Sequence, residues 1–206
     1  MKIGILNYNA CNLASIYYAF YRMGYDPKVI ENHKEIENID RLIVPGVGAA
    51  KSCIKYMKEK KLYDSVLTHF EKKKPILGIC LGLQIFSKNL YEHGKSIGFG
   101  LIDADVVSFD KYNKFNIGWC NLSINSNSFL HKNFFNKSFY FCHSYYVKIK
   151  NKEKNRYCHA IIHKNLNIPA IIIKKNFMGV QFHPEKSQIN GTKFMQSFLD
   201  WEPDLN

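Results

Sequence analysis

The segment that most restricts how this chain can fold is Gly78-Ile79-Cys80-Leu81-Gly82, which continues an apolar run begun at Ile76. Four apolar residues in a row, without polar alternation, suit a strand covered on both faces of a sheet. Glycines two positions either side of Cys80 suit a sharp turn from that strand into a helix, where crowded backbone leaves no room for side chains. Strand, elbow and helix in succession point to an α/β chain.

The flanking sequence follows the same rhythm. Apolar runs at 3–6, 29–30 and 42–44 are short strands, the last ended by Pro45-Gly46-Val47-Gly48. Between them Leu13, Ile16, Tyr17, Phe20 and Met23 recur at helical spacing, with Gly24 placed to stop the helix. Helices are expected over 49–58, 63–72 and 81–90, and the alternation predicts a parallel sheet covered on both faces. The second half differs. Runs at 106–109, 139–142, 145–149, 157–162, 170–173 and 179–182 are strand-like and closely spaced, so they predict antiparallel additions, closed by a helix over 192–201. The Asn- and Lys-rich patches 121–127 and 148–155 are expected to be solvated loops. With no linker-like stretch and no repeat, residues 1–206 are expected to form a single domain. Its fold class is α/β, a mixed, mostly parallel central sheet flanked by helices and carrying antiparallel additions.

Composition excludes several classes. The 206 residues are 46% hydrophobic and 15% aromatic, which is incompatible with a disordered chain. The net charge of +12 raises the question of nucleic acid. The basic residues, however, are spread over most helices and loops rather than clustered with exposed aromatics, so no nucleic-acid partner is expected. The N-terminal apolar run is broken at Asn7, too short for a signal-peptide core. No apolar stretch approaches the roughly 18–20 residues needed to span a bilayer, so no membrane partner is expected and the protein is expected to be cytoplasmic. The six cysteines, at 11, 53, 80, 120, 142 and 158, include no C-x-x-C pair. They predict neither a metal site nor a redox dithiol, and all but Cys80 are expected to be small apolar fillers.

Three segments carry chemistry. A cysteine at a strand-to-helix elbow lies at a helix N-terminus, which favours thiolate over thiol, and the N–H of Leu81 can face a developing oxyanion. The alternative is a core cysteine between packing glycines. Gln181-Phe182-His183-Pro184-Glu185 sets a histidine and a carboxylate two residues apart. A thiolate nucleophile needs an imidazole to move its proton, and the imidazole needs a carboxylate to hold its tautomer. Alone, that pair could be merely solvated. The glycines of 45–48 let backbone approach a ligand, or simply make a turn.

Together these segments resemble the class I (triad) glutamine amidotransferases. Within that class they are similar to the glutaminase subunits of imidazole glycerol phosphate synthases. The resemblance runs through Pro-Gly-Val-Gly-Ala at 45–49 and Gly-Ile-Cys-Leu-Gly-Leu-Gln at 78–84, then Gly-Trp at 118–119 and Phe-Tyr-Phe-Cys-His-Ser-Tyr-Tyr at 139–146. It ends with Gly-Val-Gln-Phe-His-Pro-Glu-Lys-Ser at 179–187. It implies a flavodoxin-like fold with antiparallel additions and no cofactor or metal. Cys80 would attack the carboxamide of glutamine, with His183 as base then acid and Glu185 orienting it. Val47 and Leu81 would offer backbone N–H groups to the oxyanion. In the family the segment bearing Gly46 and Val47 can require a peptide flip, leaving the free subunit nearly inactive. Gly48, Gln84, Glu92, Ser144 and Tyr145 match glutamine-holding positions, while Asn12, Trp119 and Lys186 match positions facing the partner. That partner would be a (β/α)8-barrel cyclase in a heterodimer, receiving ammonia for histidine biosynthesis.

Two stretches depart from the family's pattern. The family's Asp-Tyr-Gly-x-Gly-Asn loop is Asn7-Tyr8-Asn9-Ala10-Cys11-Asn12 here, and its Pro-His-Met-Gly-Trp-Asn is Phe115-Asn116-Ile117-Gly118-Trp119-Cys120. Both lie toward the partner in the family. They leave open a paralogue feeding a related barrel synthase for amidino-sugar synthesis, and a stand-alone Cys-His hydrolase remains a further alternative. His143, inside an aromatic strand, is expected to be a structural hydrogen-bonder, and Trp119 to be core or interface.

Overall fold

Full burial marks the strands of the parallel half: β1 (Ile3–Leu6), β3 (Arg41–Val44) and β4 (Ile76–Ile79) have every residue buried. A computed structural model describes residues 1–8, 12–109, 115–149, 157–162 and 168–204. The expectations for 9–11 and 150–155 fall outside those residues. Helix α1 (Leu13–Arg22) follows β1 and buries Ile16, Ala19 and Phe20. Strand β2 (Lys28–Ile30) precedes β3, and α2 (Ala50–Glu59) and α3 (Leu62–Glu71) fill the connection to β4.

Beyond β4 come α4 (Leu81–Gln84), β5 (Ser87–Leu90), β6 (Ser96–Ile97), β7 (Ile102–Ser108) and β8 (Asn116–Ile124). They are followed by α5 (His131–Phe134), β9 (Ser138–His143), β10 (Tyr145–Ile149), β11 (Cys158–Ile162), β12 (Pro169–Lys174), β13 (Phe177–Val180) and α6 (Gln188–Asp200). One sheet has the order β2-β1-β3-β4-β13-β12-β11-β8-β9, and a smaller one the order β10-β7-β5-β6. From β2 to β13 the neighbours are parallel, and from β13 to β9 they are antiparallel. The five parallel strands, taken in chain order, lie 2-1-3-4-5, the doubly wound arrangement in which ligands bind beyond the carboxyl ends of the strands.

Strand alternation sorts the core into two layers. Ile3, Ile5, Ile43, Leu77, Ile79 and Val180 pack with Phe20 of α1 and Phe194 and Phe198 of α6. Leu6, Leu42, Val44, Ile76 and Phe177 pack on the other side with Met57, Leu62 and Val66 of α2 and α3. Each such fully buried side chain contributes about 1.5–3 kcal/mol relative to leaving it exposed.

Four expectations need correction. Residues 81–90 do not continue as a helix: a single turn gives way to β5, because Ile85 and Phe86 spend their carbonyls on Phe99 (2.7 Å), between β6 and β7, and Ile102 (3.0 Å), at the start of β7. The strand expected at 179–182 is β13, and it joins the antiparallel additions on one edge only, pairing antiparallel with β12 and parallel with β4. The 121–127 patch is not all loop, since Cys120, Leu122 and Ile124 alternate inward along β8. Helix α6 begins at Gln188, earlier than expected, because Gly191 lies so close to Pro184 that a Cβ there would strike the Pro184 carbonyl. Among the fillers, Cys53 and Cys120 are buried, whereas Cys142 is exposed on the outward face of β9 and Cys158 is half-buried.

Candidate active site

Cys80 joins β4 to α4 with φ +54° and ψ −106°, a conformation L-residues rarely adopt. Such a backbone costs about 1–3 kcal/mol and persists because its surroundings hold it. The Cys80 N–H donates to Val180 O at 2.7 Å on β13. The glycines do what the elbow pattern requires. A Cβ on Gly82 would run into the Val44 carbonyl, and one on Gly78 would lie 2.7 Å from Gly82 O. Gly46 is likewise enclosed: a Cβ there would lie 2.9 Å from the Cβ of Leu81, and the Tyr8 hydroxyl, which donates to Pro45 O, stands on its other side.

His183 emerges three residues beyond β13. Phe182 anchors the backbone just before it, its ring tilted against Phe139 with centroids 4.2 Å apart and packed edge-on with Phe194. The His183 N–H donates to Tyr140 O at 2.9 Å, and the Ser187 hydroxyl donates to His183 O at 2.6 Å. Its Nδ1 lies 2.8 Å from Glu185 Oε1, and both side chains are almost wholly buried. A carboxylate in this pair accepts, so Nδ1 carries hydrogen and Nε2 is left for the sulfur. Burial works against the imidazolium, but hydrogen bonds from His183 to Cys80 and Glu185, with the charges of both, outweigh it and push His183 up to about 10. A charged imidazolium held against a cysteine sulfur is the arrangement in which sulfur becomes a nucleophile.

Both groups open into a cleft of about 320 Å³. The cleft gathers Val47 and Gly48 from the loop after β3, and Cys80, Leu81 and Gln84 from the elbow and α4. Glu92 follows β5, Ser144 and Tyr145 lie at the β9–β10 junction, and His183 and Lys186 complete the wall. Glu185 sits behind His183. Asn12 and Trp119 are elsewhere: Asn12 accepts from the Ser15 N–H and caps α1, and Trp119 stands exposed on β8 with its ring edge toward Tyr140. Trp119 is therefore not core.

Several contacts show how the wall is held. Gly48 has φ +98°, which only glycine adopts without strain. Glu92 Oε2 accepts from the Ala50 N–H at 2.7 Å, capping α2 where Ala49 provides no side-chain cap. Gln84 Nε2 donates to Tyr145 O at 2.8 Å. His143 is a structural hydrogen-bonder as expected, donating through Nδ1 to Tyr145 O at 2.9 Å and facing Asn116 Nδ2 with Nε2 at 3.1 Å. Burial pushes it down to about 4, so its imidazole is neutral, with both ring nitrogens engaged by Tyr145 O and Asn116. The residue that sequence reading quoted without a role is Gln181, whose amide reaches both Cys80 and Gln84. A polar side chain inside an otherwise apolar run was the available signal.

A wider groove of about 790 Å³ lies among Phe129, Tyr157, His159, Lys174 and Asp200 and holds none of the expected site residues. Among the described residues, no group of three or more His, Cys, Asp or Glu could hold a metal ion, and no helix is long and apolar enough to cross a membrane.

Residues 5–200 match the family described as glutamine amidotransferase class-I. The chain belongs to the class I glutamine amidotransferases. It is 39% identical to the imidazole glycerol phosphate synthase subunit HisH of Caldanaerobacter subterraneus subsp. tengcongensis, over 95% of this chain and 96% of the relative. It is 38% identical to the corresponding subunit HisH 1 of Campylobacter jejuni, over 96% and 98% of the two chains. Among solved structures, that of PurLQS from Thermotoga maritima superposes with a TM-score of 0.76 at 18% identity, covering 97% of each chain. At that identity the likeness shows the fold alone. As an amidotransferase the chain is an enzyme, and its elbow, cleft and loop occupy the carboxyl ends of β4 and β13.

Proposed function

We propose that this amidotransferase is the glutaminase subunit of an imidazole glycerol phosphate synthase, and that it passes ammonia to a (β/α)8-barrel cyclase in the histidine pathway. The observation that carries the proposal is full-length similarity to relatives bearing that subunit name, at 39% and 38% identity. The cleft supports the chemistry. The Cys80 sulfur attacks the carboxamide carbon of glutamine while the oxyanion takes N–H groups from Val47 and Leu81. Leu81 lies in the first turn of α4, where N–H groups have no intrahelical acceptor. His183, already protonated, gives its proton to the departing nitrogen; the C–N bond breaks, ammonia leaves and a thioester remains. Neutral His183 then takes a proton from water, hydroxide adds to the thioester, and the C–S bond breaks to release glutamate. Glu185 keeps Nε2 facing the sulfur throughout. Gly48, Gln84, Glu92, Ser144 and Tyr145 hold the substrate, with Glu92 suited to its ammonium group.

The cleft mouth supports a partner. Val47, Ile117 and Trp119 are 45%, 55% and 46% exposed, an apolar rim that Lys186 borders with Nζ 6.0 Å from the Tyr140 ring. Val47 and Ile117 line the cleft itself, so a protein seated there would cover its opening. Asn12 belongs to the same partner-facing side in this proposal. Residues 1–206 act as a single amidotransferase domain in a cytoplasmic heterodimer.

The test is to mix the protein with the barrel cyclase of the histidine pathway and measure complex formation and glutamate release. A stable complex and a rise of at least about tenfold are expected, with the complex weakened by Trp119→Ala or Ile117→Lys. Stimulation by a different barrel synthase alone, or equal activity without any partner, would overturn the proposal.

A further inference from the structure

We propose that Gln181 is a positioning residue for the nucleophile, its side-chain amide donating a hydrogen bond to the Cys80 sulfur while tying that sulfur to Gln84. Gln181 follows β13 directly and has 0% exposure. Its main chain is held independently, the N–H donating to Ala170 O at 3.0 Å on β12. The side chain is therefore free to serve the site. Its Nε2 lies 3.6 Å from Cys80 Sγ, and its Oε1 lies 3.2 Å from Gln84 Nε2.

The partners decide which way round the amide stands. A backbone carbonyl only accepts, so the Gln84 group 2.8 Å from Tyr145 O is its NH₂. That nitrogen can only donate, so Gln181 turns its oxygen to Gln84 and its nitrogen to the sulfur. The direction of the whole chain, from Tyr145 through Gln84 and Gln181 to Cys80, follows from the one carbonyl at its far end. The sulfur thus meets a fixed N–H donor, which bonds more strongly to a thiolate than to a thiol. Burying glutamine costs side-chain entropy and desolvation that a methionine of similar size would avoid, so its two polar ends must be used.

The titratable groups that share the cleft with Cys80 are His183, with Glu185 behind it, Cys142 and His143 from β9, Tyr145 from β10, and Glu92 and Lys186 along the wall. Gln181 is an uncharged donor beside them. The far end of the chain is Tyr145, part of the clamp proposed for glutamine, so the same four groups link substrate clamp and nucleophile.

The proposal rests on Cys80 being the nucleophile, and the experiment separates the two. The full-length protein is treated with iodoacetamide across a range of pH, and alkylation of Cys80 is followed by peptide mass so that exposed Cys142 does not interfere. Gln181→Met keeps the volume and removes both hydrogen bonds, and Gln181→Leu removes them as well, neither adding a charge beside the sulfur. The midpoint of the rate curve is expected to rise by about one pH unit in each, the worth of one hydrogen bond to a charged group, and kcat for glutamine to fall at least about tenfold. Unchanged midpoints in folded variants would overturn the role of Gln181, and the Leu variant carries the test if Met does not fold. Failure of the nucleophile assignment looks different: alkylation of wild-type Cys80 would leave glutaminase activity intact.

Discussion

At the scale of residues, the histidine is the unusual group. Held near 10 by Cys80 and Glu185 against the opposing effect of burial, His183 enters catalysis as a proton donor. Removing the carboxylate charge should weaken that hold while leaving the imidazole in place. In Glu185→Gln the alkaline limb of the glutaminase pH profile is expected to move down by at least about one unit, with a lower kcat. A limb at its wild-type position would show that Glu185 does not govern the protonation of His183. Glu92 illustrates a second residue-scale point. Its carboxylate caps α2 through the Ala50 N–H, so the group proposed to meet the substrate ammonium also anchors the helix following Val47 and Gly48.

At the scale of elements, the site depends on how closely β3, β4 and α4 approach. The Gly82 backbone lies directly against the end of β3, so that a Cβ there would meet the Val44 carbonyl. Gly82→Ala is expected to destabilise the protein by about 1–3 kcal/mol through overpacking and to displace Cys80, so that activity falls far more than the melting temperature. Wild-type activity in Gly82→Ala would contradict the elbow account. The elbow, β1, β3 and the His183 loop were legible in sequence because buried parallel strands are unbroken apolar runs and because glycine and proline mark the turns between them. The short α4 was misread because 81–90 carries a helix-compatible pattern, and it is pairing with β6 and β7 that makes 87–90 a strand. Strand β8 has no counterpart among the expected strands, since Asn121 and Ser123 on its outward face look like loop residues. Gln181 escaped assignment because its role depends on Gln84 and Tyr145, which the fold alone brings beside it.

At the scale of the whole molecule, three histidines set opposing pH dependences. Burial holds His69 and His143 near 4, below the ordinary 6.5, so their contribution to stability is present above 6.5 and is lost as pH falls through about 4. His183, raised to about 10, contributes fully below 6.5 and loses that contribution as pH rises through about 10. Melting temperature is expected to peak near neutrality, and His69→Gln is expected to lose less of it between pH 6.5 and 4 than the wild type. An identical acid slope in the variant would contradict this. The net charge of +12 bears on solubility and association more than on the fold.

All three scales converge on one claim, that Cys80 breaks the amide bond of glutamine with the proton held on His183. Glutamate release by Cys80→Ala, measured beside wild type in the presence of the barrel partner, addresses it most directly. The account predicts a fall of at least about a thousandfold with the fold and the complex retained. Glutamate release near the wild-type rate would contradict it.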